Sequence, residues 1–128
     1  MTPQNLVCSR ELAERMKELG YPQESLFVWW EPNAMSAWQV IEQRAIDGRT
    51  LKSKICIAAP TAGELGEVLP RSCPTHGGDL QICHSFSPGW FVGYGNHMDL
   101  RGCHVDDGPT LADAMAKIWI YLKENELI

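Results

Sequence analysis

The stretch Thr110–Leu127 constrains the fold of this chain more than any other. Thr110 is placed to cap a helix, because its hydroxyl can accept the free backbone N–H of Asp113. Asp113 adds negative charge where the helix dipole favours it. Leu111, Met115, Ile118, Trp119 and Leu122 then recur at helical spacing and make one broad apolar face. Such a helix gains most of its stability from what it packs against, so a sheet is expected beneath it. Tyr121, Lys123 and Glu124 fall mostly off the stripe.

Two echoes of this device lie upstream. Thr61–Glu64 is a capping box leading into Leu65, Val68 and Leu69. Gly63 and Gly66 weaken that helix by about 1 kcal/mol each relative to Ala, so packing has to sustain it. Another helix is expected from Ser9 to Leu19, with Leu12, Met16 and Leu19 as its buried stripe. Gly20 can take the left-handed conformation that ends it, and Pro22 blocks continuation.

Strand-like segments separate these helices. Leu26–Trp30 is aromatic and branched, and Glu31-Pro32 closes it. Trp38–Ile46 fits a strand through Trp38, Val40 and Glu42, and a helix through Trp38, Ile41 and Ala45. The short Asn33–Ala37 connection favours a hairpin with the first strand. Asp47-Gly48 marks a turn, and Ile55–Ala58 is extended. Leu80, Ile82 and His84 alternate with Gln81 and Cys83, and Trp90, Val92 and Tyr94 form a hairpin partner across Pro88-Gly89. Gly95–Pro109 reads as a loop. The order α-β-β-α-β-β-α predicts an α+β layered sandwich over residues 1–128, one domain with a mostly antiparallel sheet and three helices.

At 128 residues, with 45% hydrophobic and 21% charged residues, the chain can bury a core without disulfide staples. The net charge of −5 argues against a duplex-binding surface, which needs clustered Lys and Arg. Arg44, Arg49, Lys52 and Lys54 are close in sequence but read as a solvated loop. Five irregularly spaced cysteines do not make a secreted disulfide framework. No basic start with an apolar run opens the chain, and no apolar stretch reaches bilayer length. A reduced, cytoplasmic protein is expected, with no membrane contact.

Several strings carry a family resemblance: Cys8–Glu14, Lys17–Gly20, Gln23–Phe27, Ala59–Pro70, Ala112–Lys117 and Leu122–Asn125. Together they resemble small phage and prophage proteins of unassigned function with an ABA-sandwich fold. The resemblance implies that fold and a bacterial host cell. It brings no activity and no site residues.

Candidate chemistry is sparse. Cys73-Pro-Thr-His76 is a C-x2-H knuckle that could join Cys83-His84 or Cys103-His104 in a four-ligand zinc site, but no second standard ligand pair follows it. Cys83 and His84 would also point to opposite faces of a strand. Cys103-His104 with Asp106 and Asp107 supplies the residue types for a thiol nucleophile without supplying its geometry. Asp99, Asp106 and Asp107 could be read as a metal-dependent nuclease, although Asp106–Pro109 is also what a turn before a capped helix needs. Gly93-Tyr-Gly95 is not followed by a helix, so it is no dinucleotide fingerprint.

Five tryptophans are many for this length. Trp38 and Trp119 read as core. Trp29 and Trp30 must face opposite sides of a strand, so one is left for a helix, a partner or a ligand to cover. With the resemblance, which implies a phage-type accessory protein and a host-defence component as partner class, the leading expectation is a small protein that acts by binding a protein partner. It is expected to be no enzyme and to use no cofactor. The alternative is a zinc-dependent enzyme or zinc-stabilised nucleic-acid-associated protein using the Cys73/His76 loop.

Overall fold

The capped segment after Thr110 forms a helix at the centre of the molecule. The structure is a computed structural model that describes residues 5–31, 38–42, 56–73, 78–84, 89–95 and 105–128. Its helices are α1 (Arg10–Glu18), α2 (Ala62–Val68) and α3 (Leu111–Glu124). Its strands are β1 (Phe27–Trp30), β2 (Gln39–Glu42), β3 (Cys56–Ala58), β4 (Asp79–His84), β5 (Trp90–Gly95) and β6 (Val105–Gly108). The fold is α+β, as expected, in the order α-β-β-β-α-β-β-β-α. The strands make two antiparallel three-stranded sheets, β2-β1-β3 and β4-β5-β6. Two strands are thus added to the expected order, and the strands are shared between two sheets.

α3 packs on β5 and β6 and also on α1 and α2, while α1 reaches the first sheet through β3. Contact on several sides explains why its buried set is wider than the amphipathic stripe. Ala112, Ala114, Ala116 and Ile120 are buried along with Met115, Ile118, Trp119 and Leu122. A helix buried this broadly needs small side chains where neighbouring elements come close, and the three alanines supply them.

The caps form as the sequence requires. Thr110 Oγ1 accepts from the Asp113 N–H at 3.1 Å. Thr61 and Glu64 close a reciprocal box, with bonds of 3.2 and 3.1 Å. Ser9 Oγ accepts from the Leu12 N–H at 3.4 Å, and Gly20 ends the α1 turn at φ +94°. One cap crosses between helices: Asp113 Oδ1 accepts the Ser9 N–H at 2.7 Å, across 104 residues of chain. Asp113 is only 8% exposed, so this bond ties the start of α1 to the start of α3 away from water.

β6 lies inside the segment read as a loop. Asp and Gly have low strand propensity, so Val105-Asp-Asp-Gly carries little strand signal of its own. Its pairing comes from tertiary context: Trp90 to Gly93 of β5 meet Gly108 to Val105 in antiparallel register. Gly108 is required there, because a Cβ would sit 2.8 Å from the Ala114 nitrogen and the Asp113 Cβ.

The second hairpin forms in the expected register, with Leu80 opposite Tyr94 and Ile82 opposite Val92. Val92 and Tyr94 are buried beneath α3, and the Tyr94 hydroxyl donates to the Pro70 carbonyl at 2.7 Å. Ile82 shares their face yet remains 46% exposed, because β4 is an edge strand.

Candidate binding surface

The tryptophan question resolves on β1. Trp29 lies opposite Val40 and Ile57, on the face that joins the central core. Its indole N–H donates to the Cys8 carbonyl at 2.9 Å, so the side chain is anchored at both its apolar body and its polar tip. Trp30 lies opposite Gln39 and Cys56 on the other face and is half-buried. Val28, Cys56 and Ala58 on that same face are fully buried, which leaves Trp30 as its partly open aromatic. Trp29 is itself only half-buried.

Trp119 is a core residue as expected, with its ring edge-on to Tyr21 at 5.1 Å between centroids. Trp38 is only partly so. It packs on the core with one side, while the Arg10 guanidinium sits 5.3 Å from its ring centroid. Arg10 is held by Glu14, one turn along α1, at 2.6 Å. Glu14 in turn lines a cleft of about 390 Å³ between α1 and the first sheet, together with Lys17, Glu18 and Ile57. Lys17 is fixed there by its bond to the Cys56 carbonyl at 3.1 Å. Trp38, Arg10, Glu14 and the cleft therefore form one continuous surface, with an aromatic and a guanidinium at one end and a mixed-charge wall along α1.

That surface can do recognition chemistry. An aromatic face stacked by a guanidinium presents a large, stiff contact area with little rotamer freedom left to lose. Periodicity alone could not find it, since Trp38 precedes β2 and Arg10 starts α1. The signal that could have is the excess of tryptophans over what one core accommodates.

The residues singled out for metal or acid–base chemistry do not converge where they are described. Cys73 is buried at the start of the second sheet, with its N–H on the Gly78 carbonyl at 2.7 Å. Cys83 is exposed at the far end of β4, about 16 Å along the strand from Gly78 by its rise per residue. Those two sulfurs cannot serve one ion. Asp106 and Asp107 are neighbours on β6 opposite Val92 and Phe91, so their side chains take opposite faces. They cannot act as a carboxylate pair. Gly93-Tyr-Gly95 lies within β5. His76, Asp99, Cys103, His104 and the basic residues Arg44, Arg49, Lys52 and Lys54 lie outside the described residues, as does the side chain of His84. Among the described residues no group of three or more His, Cys, Asp or Glu is placed to hold a metal.

Burial removes another thiol from consideration. It pushes the Cys8 thiol up to about 12, with the Asp113 carboxylate adding to the effect. Burial likewise raises Cys56. A thiol held neutral this way is a poor nucleophile. No helix among the described residues is long and apolar enough to cross a membrane. No protein-family model, no curated protein and no solved structure matches this chain.

Proposed function

We propose that this protein is a small phage-type accessory protein that works by binding a protein partner, and that the partner docks on the Trp38–Arg10 end of the cleft between α1 and the first sheet. The observation that carries the proposal is the half-buried Trp38 under the Arg10 guanidinium, which Glu14 joins to the wall of a cleft of about 390 Å³. Tryptophan and arginine are among the side chains that dominate binding energy at protein interfaces. The net charge of −5 speaks for a protein partner over a duplex. A host-defence component is the partner class favoured by the resemblance to phage and prophage proteins.

The test is to capture partners from phage-infected bacteria, purify the one that binds, and measure its affinity for variants of the chain. Trp38→Ala is expected to weaken binding by about thirtyfold or more, the equivalent of a ~2 kcal/mol hot spot. Arg10→Ala should weaken it less, and Trp30→Ala on the opposite face should leave it nearly unchanged. A partner that binds the folded Trp38→Ala variant as tightly as the wild type would overturn this assignment.

A further inference from the structure

The peptide group between Cys8 and Ser9 is held at both of its ends. Its carbonyl accepts the Trp29 indole N–H at 2.9 Å, and its N–H donates to Asp113 Oδ1 at 2.7 Å. A trans peptide points its C=O and N–H in opposite directions, so β1 holds the group from one side and α3 from the other. Cys8 and Asp113 are both buried, so little water competes for either bond. The Cys8 N–H before the group donates to the Pro60 carbonyl at 3.2 Å, and the Ser9 hydroxyl after it caps α1.

Arg10 follows directly as the first residue of α1. Its guanidinium bonds Glu11 at 3.3 Å and Glu14 at 2.6 Å, both on the same helix, so it moves with α1. Trp38 belongs to the other side of the contact. It packs on the central core shortly before Val40, the cross-strand neighbour of Trp29. α1 packs on α3 and, in the first sheet, on β3, which lies across β1 from β2. The bond from Trp29 to Cys8 therefore ties the start of α1 to the part of the sheet beside Trp38. The guanidinium lies 5.3 Å from the Trp38 ring centroid, and such a contact fades beyond about 6 Å. A shift of the start of α1 by about 1 Å is enough to end it.

We propose that Trp29 and Asp113 are positioning residues for the binding surface: together they fix the Cys8–Ser9 peptide, and through it they set the Arg10 guanidinium over Trp38. Trp29 sets the separation of the start of α1 from the first sheet, and Asp113 holds that start back against α3. Neither needs to touch the partner. The surface is thus assembled before a partner arrives, which spares the cost of ordering it on binding. The value of the stack for binding rests on the docking reading given above, whereas the positioning itself does not.

The Arg10 side-chain protons of the whole chain report this geometry without any partner, because the ring current of an indole displaces protons over its face upfield. In labelled wild-type protein they should be displaced, and Trp38→Ala should abolish the displacement. Trp29→Phe keeps most of the ring and loses the N–H, Asp113→Ala loses the acceptor, and Asp113→Asn keeps one. Trp29→Phe and Asp113→Ala should each lose most of the displacement, while Asp113→Asn should keep it. Trp30→Phe, the neighbouring change on the other face of β1, should keep it as well. Trp29 and Asp113 act on opposite ends of one peptide, so either variant decides the matter if the other does not fold. With the purified partner, Trp29→Phe should weaken binding about two- to fivefold, what an exposed cation–π contact contributes, and should have no further effect in the Trp38→Ala background. A purely structural role would weaken binding by the same factor in both backgrounds. That equality, a wild type without displaced Arg10 protons, or full displacement in folded Trp29→Phe or Asp113→Ala protein would overturn the proposal. A partner indifferent to Trp38→Ala would instead overturn the docking assignment, and the Arg10 protons would still decide the positioning.

Discussion

Trp29 and Trp30 are consecutive in the chain and chemically identical, so any difference between them comes from the sheet. Trp29 has the central core against its ring and the Cys8 carbonyl on its indole N–H. Trp29→Ala therefore loses packing and leaves a part-buried carbonyl without its donor, at an expected cost of about 3 kcal/mol. Trp30→Ala removes a partly exposed ring whose indole N–H has no acceptor among the described residues, so about 1 kcal/mol is expected. Urea midpoints of the two variants check the contrast, and equal losses would mean that both faces of β1 are packed to the same degree. Asp113 shows how far a residue's role can lie from its sequence signal. Its place in the first turn of α3 was legible as a dipole complement, but its acceptor role for Ser9 was not, since a pairing over 104 residues leaves no local pattern.

At the level of elements, the sequence announced those that build their own signal. All three helices carry side-chain caps that act within four residues, and the β4–β5 hairpin alternates over six positions on each strand. β1 and β2 pair as the short connection implied, with Trp29 opposite Val40. β6 was illegible because its residues are strand-forming only in the company of β5 and α3, and β3 was visible as extended chain without its partner. The candidate cleft was hidden for the same reason: α1 and β3 contribute to it from distant parts of the chain. Gly108 marks where β6 and α3 touch. Gly108→Ala drives a methyl group into the Ala114 backbone, which cannot rotate aside, and should cost about 1–3 kcal/mol. Thermal unfolding of that variant measures it, and a neutral result would mean that β6 and α3 are not in close contact.

For the molecule as a whole, the buried ionisable groups give stability a direction in pH. Burial raises the Cys8 thiol from 9.0 to about 12 and the Tyr21 and Tyr94 hydroxyls from 10.0 to about 12. All three are neutral when protonated, so the folded state holds protons that the unfolded chain releases earlier. Their contribution is fully present below about pH 9 and is lost as pH rises towards 12. Urea midpoints measured between pH 8 and 11 should fall steadily across that window, and a flat profile would show that these groups are hydrated in the fold. The position of α3 has a consequence for synthesis. The helix on which β5, β6, α1 and α2 all pack is translated after every one of them. While residues 111–124 are still being synthesised, the earlier helices α1 and α2 lack the helix they pack on. The faces that α3 covers therefore stay without it until the last stretch of the chain is made, and an incomplete chain is open to aggregation through them.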